Sequence, residues 1–272
     1  LPRKRFELHD TLRLEVALVD GKEMFAWPGA RKFEQTDLTQ MIAGGAIGTG
    51  DFALHARAVF QSRAPVFDYR GGEEMRGRRV DRFDFRVTQL NSGYHIRSGG
   101  HDAVVGYHGS LWADAVSHQL VRLEVNADDI PAELGIREAR DVMDYDRMRI
   151  GESDFLLPSG SELTMTDLAG NESRNRTQFK GCRQYSGESI LTFDTPPEGG
   201  TAASPDEARK KETFELPPDS TLEVRLLQGI DSTRAATGDA IDAVLEQRVR
   251  VKGRVLVEKG AKVSGRLVRL ER

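Results

Sequence analysis

Along the first two thirds of this chain, apolar and polar residues trade places at almost every step. In Thr11–Val19, Leu12, Leu14, Val16 and Leu18 alternate with Arg13, Glu15 and Ala17. In Arg79–Val87, Phe83, Phe85 and Val87 share one side, and Arg82, Asp84 and Arg86 share the other. A period of two sends successive side chains to opposite faces, so such a segment folds as a strand with one buried face and one wet face. The same reading gives strands at Glu23–Trp27, Val104–Trp112, Leu120–Val125, Val142–Ile150, Phe155–Leu157, Glu162–Asp167, Glu172–Phe179 and Ser189–Asp194. Asp20-Gly21 and the loop Leu168-Ala169-Gly170-Asn171 supply hairpin turns. Glu172–Phe179 is polar on both sides, which fits an edge strand guarded by charge. Helical spacing occurs in Thr36–Ala43, and again from Asp51, a candidate cap, to about Phe60. Together these predict a mainly β (α+β) protein, an antiparallel sheet with one or two helices laid against it.

The segment Pro196–Pro218, PPEGGTAASPDEARKKETFELPP, breaks the alternation. It is too poor in apolar residues to offset its ordering entropy and reads as a linker. It separates residues 1–195 from a small β module at 219–272. The module carries 11 basic and 8 acidic residues, +3, on a chain whose net charge is −4. That balance does not call for nucleic acid as a partner. Apolar runs such as Phe155-Leu156-Leu157 are far too short for a transmembrane helix. One cysteine, Cys182, excludes an internal disulfide framework and a multi-cysteine zinc site. The chain opens on Leu-Pro-Arg-Lys-Arg, without Met or a signal peptide, and so reads as a mature or trimmed piece.

Local motifs for chemistry are weak. Gly48-Thr49-Gly50-Asp51-Phe52-Ala53 matches a dinucleotide fingerprint, but no strand of useful length precedes it. With Gly44 and Gly45, the glycines Gly48 and Gly50 read instead as a hinge that would let a helix move as a lid. The six histidines form no zinc-binding spacing, and no nucleophile elbow occurs. Cys182 reads as inert packing. The acid pairs Asp128-Asp129 and Asp144/Asp146 read as solvated positions. No catalytic residue, metal ligand or cofactor is therefore assigned. Phe83, Phe85, Trp112, Leu123, Val125, Leu163 and Met165 are expected to share one face of the sheet. They form either an ordinary core beneath the helix or a greasy cavity that accepts an acyl chain.

The order of elements in residues 12–194 resembles the LolA/LolB-like lipoprotein-sorting family of the Gram-negative envelope. The likeness rests on Leu14–Pro28, with an aromatic before proline, on Gly77–Phe85, on Trp112-Ala113-Asp114 leading to Leu120–Val125, and on Leu163–Asn171. It implies a curved antiparallel half-barrel around a helical lid, with an apolar interior for lipid acyl chains. The family begins with a helix and further strands, so the resemblance implies that part of the barrel wall would precede Leu1. The insertions at His95–Asp102 and Asp128–Arg140 depart from the family pattern. The tail is similar to part of the C-terminal β-barrel of conjugation and type IV secretion channel proteins of the TrbI kind. That likeness rests on Leu222–Leu226, Gly238–Leu245 and Val255–Leu267, with Glu258 where the pattern has proline.

The expected function is that of a non-enzymatic, exported envelope protein, periplasmic or associated with the outer membrane. It would bind a lipid or lipidated protein and dock a protein partner through its C-terminal module. A ligand-free scaffold is the alternative, and a hydrolase using surface histidines and carboxylates is the remote one.

Overall fold

The computed structural model describes residues 6–8, 10–30, 33, 38, 46–62, 64–183, 221–231, 233–251 and 254–268. The chain divides into two units, Leu1–Gln184 and Tyr185–Arg272. The predicted linker, the helix at Thr36–Ala43 (Leu38 apart), the strand at Ser189–Asp194, and Gly44 and Gly45 lie outside the described residues.

The first unit is mostly β and antiparallel. A hairpin of β1 (Glu15–Val19) and β2 (Lys22–Ala26) turns at Asp20-Gly21, as its dipeptide predicts. Helix α1 (Leu54–Gln61) follows. The remaining strands are β3 (Val66–Met75), β4 (Arg78–Val87), β5 (Tyr94–Ser98), β6 (His101–Asp114), β7 (Leu120–Asp128), β8 (Ile136–Ile150), β9 (Ser153–Asp167) and β10 (Glu172–Gln178). They form one sheet in the order β10-β9-β8-β7-β6-β4-β3, with β5 paired to β6, and among the described residues the sheet does not close on itself. Among those residues strand β10 is an edge, as its polarity predicts.

The sequence reading missed two strands and divided a third. In β3 the register with β4 shifts between Tyr69 and Gly71, and Gly71-Gly72 then interrupts the alternation. Strand β5 lies in the supposed insertion at His95–Asp102, which is a hairpin onto β6. The two short strands expected at Phe155–Leu157 and Glu162–Asp167 are one continuous β9, which runs through Pro158. A bulge opposite that proline, between Asp144 and Tyr145, accommodates it.

The sheet has two unlike faces. On one, α1 packs Val59 against Phe85, Val87, Tyr107, Leu111, Leu123, Val125, Met143 and Tyr145. A second cluster of Ile96, Val105, Leu134 and Ala139 lies farther along. The opposite face carries ion pairs, several between neighbouring strands and one from the β3–β4 turn. Arg122 and Arg76 each reach Asp144 at 2.7 Å, Arg140 grips Glu124 through two nitrogens at 2.9 and 2.7 Å, and Arg176 reaches Glu162 at 2.6 Å. The period-two alternation is thus resolved into an apolar layer under a helix and a charged layer toward water.

The second unit holds a three-stranded sheet of β11 (Val224–Leu226), β12 (Ala240–Leu245) and β15 (Lys262–Arg266), and a separate pair of β13 (Val249–Val251) with β14 (Arg254–Val257). Its buried residues include Ala235, Ala236, Thr237, Ala243 and Leu245. Among the described residues, no helix is long and apolar enough to cross a membrane.

Candidate functional site

The apolar layer of the first unit contains two carboxyl groups and an imidazole among its described residues. Asp141 sits on β8 between Ala139 and Met143, on the face that looks toward α1, and is only 1% exposed. Its neighbours across the sheet are Val125 and Leu163. His55 comes from the first turn of α1, and Asp51 from the turn just before it. The His55 amide donates to the Gly50 carbonyl at 3.0 Å, so Asp51 and His55 stand one helical turn apart. One ligand-type atom from each of Asp51, His55 and Asp141 lies within 4.8 Å of the others.

The segment Gly48-Thr49-Gly50 lets these groups converge. Gly50 has φ +113°, and a Cβ there would meet the His55 ring at 3.0 Å. A Cβ at Gly48 would stand 3.3 Å from both Leu163 Cδ2 and Asp51 Oδ1. The start of the helix is held by Glu23 of β2, not by Asp51. The Glu23 carboxylate accepts hydrogen bonds from the amides of Gly50 (2.7 Å), Ala53 (2.8 Å) and Leu54 (3.3 Å). A carboxylate at a helix N-terminus satisfies otherwise unpaired amides and complements the helix dipole. Asp51, relieved of the capping role its sequence position predicts, turns inward and accepts a hydrogen bond from Ser161 Oγ on β9.

Electrostatically the cluster is under tension. His55 Nε2 stands 3.7 Å from Asp141 Oδ2. Among the described residues no Lys or Arg pairs with Asp51 or Asp141. Burial and the facing Asp51 carboxyl push Asp141 up to about 9. Burial lowers His55, opposed by the charges of Asp51 and Glu23. Burial also raises Tyr145 and Tyr94, helped by the same two aspartates. The Tyr94 ring meets His55 edge-on, with centroids 5.3 Å apart. Among the described residues, Asp51 Oδ1, Asp141 Oδ1 and the Tyr145 hydroxyl are buried and find no hydrogen-bond partner beyond a proton that the two carboxyls can share. Such orphans are rare in folded proteins and each costs roughly 1–3 kcal/mol. Chemically the arrangement can hold a proton between two carboxylates, or a cation among two carboxylates and an imidazole.

Six of the seven residues expected on the apolar face are there. Phe85, Leu123, Val125 and Leu163 are buried, while Phe83 and Met165 are partly covered. Trp112 is not with them. It pairs in register with Arg82, on the charged face, where its indole N–H donates to Glu73 and Arg82 stacks 5.4 Å from the ring. Strand β6 shifts register at Trp112/Ala113. The alternation in Gly109–Trp112 is too apolar to show which of Leu111 and Trp112 faces the core.

Asp51, His55, Asp141 and Ser161 were not singled out as a group by the sequence. Two signals for them exist. One is an aspartate four residues before a histidine at a helix start. The other is an aspartate at an apolar step of the series Ala139, Asp141, Met143, Tyr145. Apolar residues also extend past α1 to the β3 edge. Phe67 pairs with Phe85 and Tyr69 with Phe83, at ring separations of 6.1 and 5.2 Å. Phe67 is 44% exposed and Tyr69 61%.

No family model, no curated protein and no solved structure matches this chain.

Proposed function

We propose that the first unit is a non-enzymatic carrier, a curved half-barrel that holds a lipid or the acyl chains of a lipidated protein between its apolar face and α1. The observation that carries this reading is the aromatic ladder Phe67–Phe85 and Tyr69–Phe83. It continues the core face beyond the helix and leaves rings in water at the β3 edge. Exposed apolar patches on soluble domains mark ligand or partner surfaces. An acyl chain laid along Phe67, Tyr69 and Phe83 would gain about 0.8 kcal/mol per buried CH₂. In this reading α1 is the lid, Gly48 and Gly50 its hinge, and the cell envelope its place of work. The second unit would dock a protein partner. Its edge strand β11 is exposed along its whole length, and Leu222, Leu227 and Ile230 flank it in the open.

The test is lipid analysis of natively purified protein, with titration of a fluorescent fatty acid. Co-purified lipid and saturable probe binding are expected. Phe67→Asp, at an exposed position, should weaken the probe at least about tenfold, from the transfer cost of a single aromatic contact, while leaving the melting temperature nearly unchanged. Absence of both lipid and probe binding in the wild type refutes the carrier and favours a ligand-free scaffold.

A further inference from the structure

Two carboxylates in an apolar interior need neutralising charge, and the described residues provide little of it. Asp51 and Asp141 face each other with one oxygen apiece unpartnered. Among the described residues the one basic group beside them is His55, its side chain 11% exposed and its Nε2 3.7 Å from Asp141 Oδ2. An imidazole nitrogen is a common metal ligand.

From this juxtaposition we infer that Asp51, His55 and Asp141 form a site for a first-row divalent cation, Zn²⁺ foremost. The donor chemistry selects the ion. One imidazole with two carboxylates and no thiolate suits Zn²⁺, Mn²⁺, Fe²⁺ or Co²⁺, whereas Ca²⁺ and Mg²⁺ prefer oxygen alone. The spacing also fits. Two ligands on one ion at bond lengths of about 2.0–2.2 Å stand roughly 3–4 Å apart. His55 Nε2 and Asp141 Oδ2 are 3.7 Å apart, and the full set spans 4.8 Å. A small carboxylate rotation closes the difference.

The surroundings are those of a supported site. Ser161 Oγ donates to Asp51 Oδ2 and so leaves Oδ1 free to bind the ion. Ligating carboxylates are commonly oriented by such an outer hydrogen bond. Glu23 fixes the helix start from which both Asp51 and His55 project. A divalent ion brings the charge of the two carboxylates to zero and satisfies both orphaned oxygens in one step. This inference concerns a place distinct from the aromatic edge and stands whether or not that edge binds lipid.

The experiment uses the 272-residue chain stripped with a chelator and then titrated with Zn²⁺ and, as a spectroscopic probe, Co²⁺. One equivalent should bind, the melting temperature should rise, and Co²⁺ should show visible bands of nitrogen–oxygen coordination. Asp141→Asn should lose Zn²⁺ affinity by at least about 100-fold, the upper range for loss of a mere outer partner. His55→Gln should also lose binding. The assignment falls if the wild type binds no ion stoichiometrically, if Ca²⁺ or Mg²⁺ binds better than Zn²⁺, or if Asp141→Asn and His55→Gln both bind as the wild type does.

Discussion

The residue with the longest reach is Glu23. It lies in a short hairpin strand, and its carboxylate meets amides 27 to 31 positions later in the chain. Nothing local in the sequence announces such a bond, which is why Asp51 reads as the cap. Glu23→Ala should destabilise the fold by about 1–2 kcal/mol, the range for lost capping groups. It should also speed hydrogen exchange at Gly50, Ala53 and Leu54 before it speeds exchange in the sheet. Equal protection at those three amides in the variant would show that the helix start is held by something else. Asp141 presents the opposite case. Its strand is legible, and so is its face, since Ala139, Met143 and Tyr145 flank it at a period of two. An alternating pattern marks which side a residue takes. It does not reveal that the partner waiting there is a helix carrying Asp51 and His55.

At the scale of elements, most of the sheet was readable because each strand has one apolar side and one charged side. The failures occur where a strand bends or where both sides are alike. Strand β3 bulges just before its glycines, β9 passes through a proline, and the Leu111-Trp112 pair offers two apolar candidates for one core position. Close packing between β6 and β7 yields a sharper prediction. Gly109 pairs with Phe85 on one side and Val125 on the other. A Cβ at Gly109 would run into the Glu124 carbonyl and approach Phe85 Cζ to 2.8 Å. Gly109→Ala should therefore cost about 3 kcal/mol, at the upper end for overpacking, measurable as a fall in the urea midpoint. An unchanged midpoint would mean that β6 and β7 can separate without loss.

For the whole molecule, the charged layer sets the response to acid. Arg122 and Arg76 hold Asp144 below the usual carboxylate range against the opposing effect of burial, and Arg140 does the same for Glu124. A carboxylate depressed in the folded state adds stability that is complete above its unfolded value of about 4. That contribution is lost as pH falls through the folded value. Stability should thus decline below about pH 4. Arg122→Met should flatten that decline by weakening the hold on Asp144. A parallel decline in wild type and variant would place the acid sensitivity elsewhere.

The strand order of the first unit has a consequence for how the chain is made. From β3 to β10, each strand after the first pairs with one already synthesised close before it, with only β5 set to the side. Connectivity of this kind keeps contacts near in sequence and favours rapid folding. As the chain leaves the ribosome, the sheet can grow hairpin by hairpin from β3. Asp51 and His55 emerge first and stay hydrated until β8 arrives with Asp141. The costly meeting of the two carboxylates is thereby deferred until most of the apolar layer that must enclose them is in place.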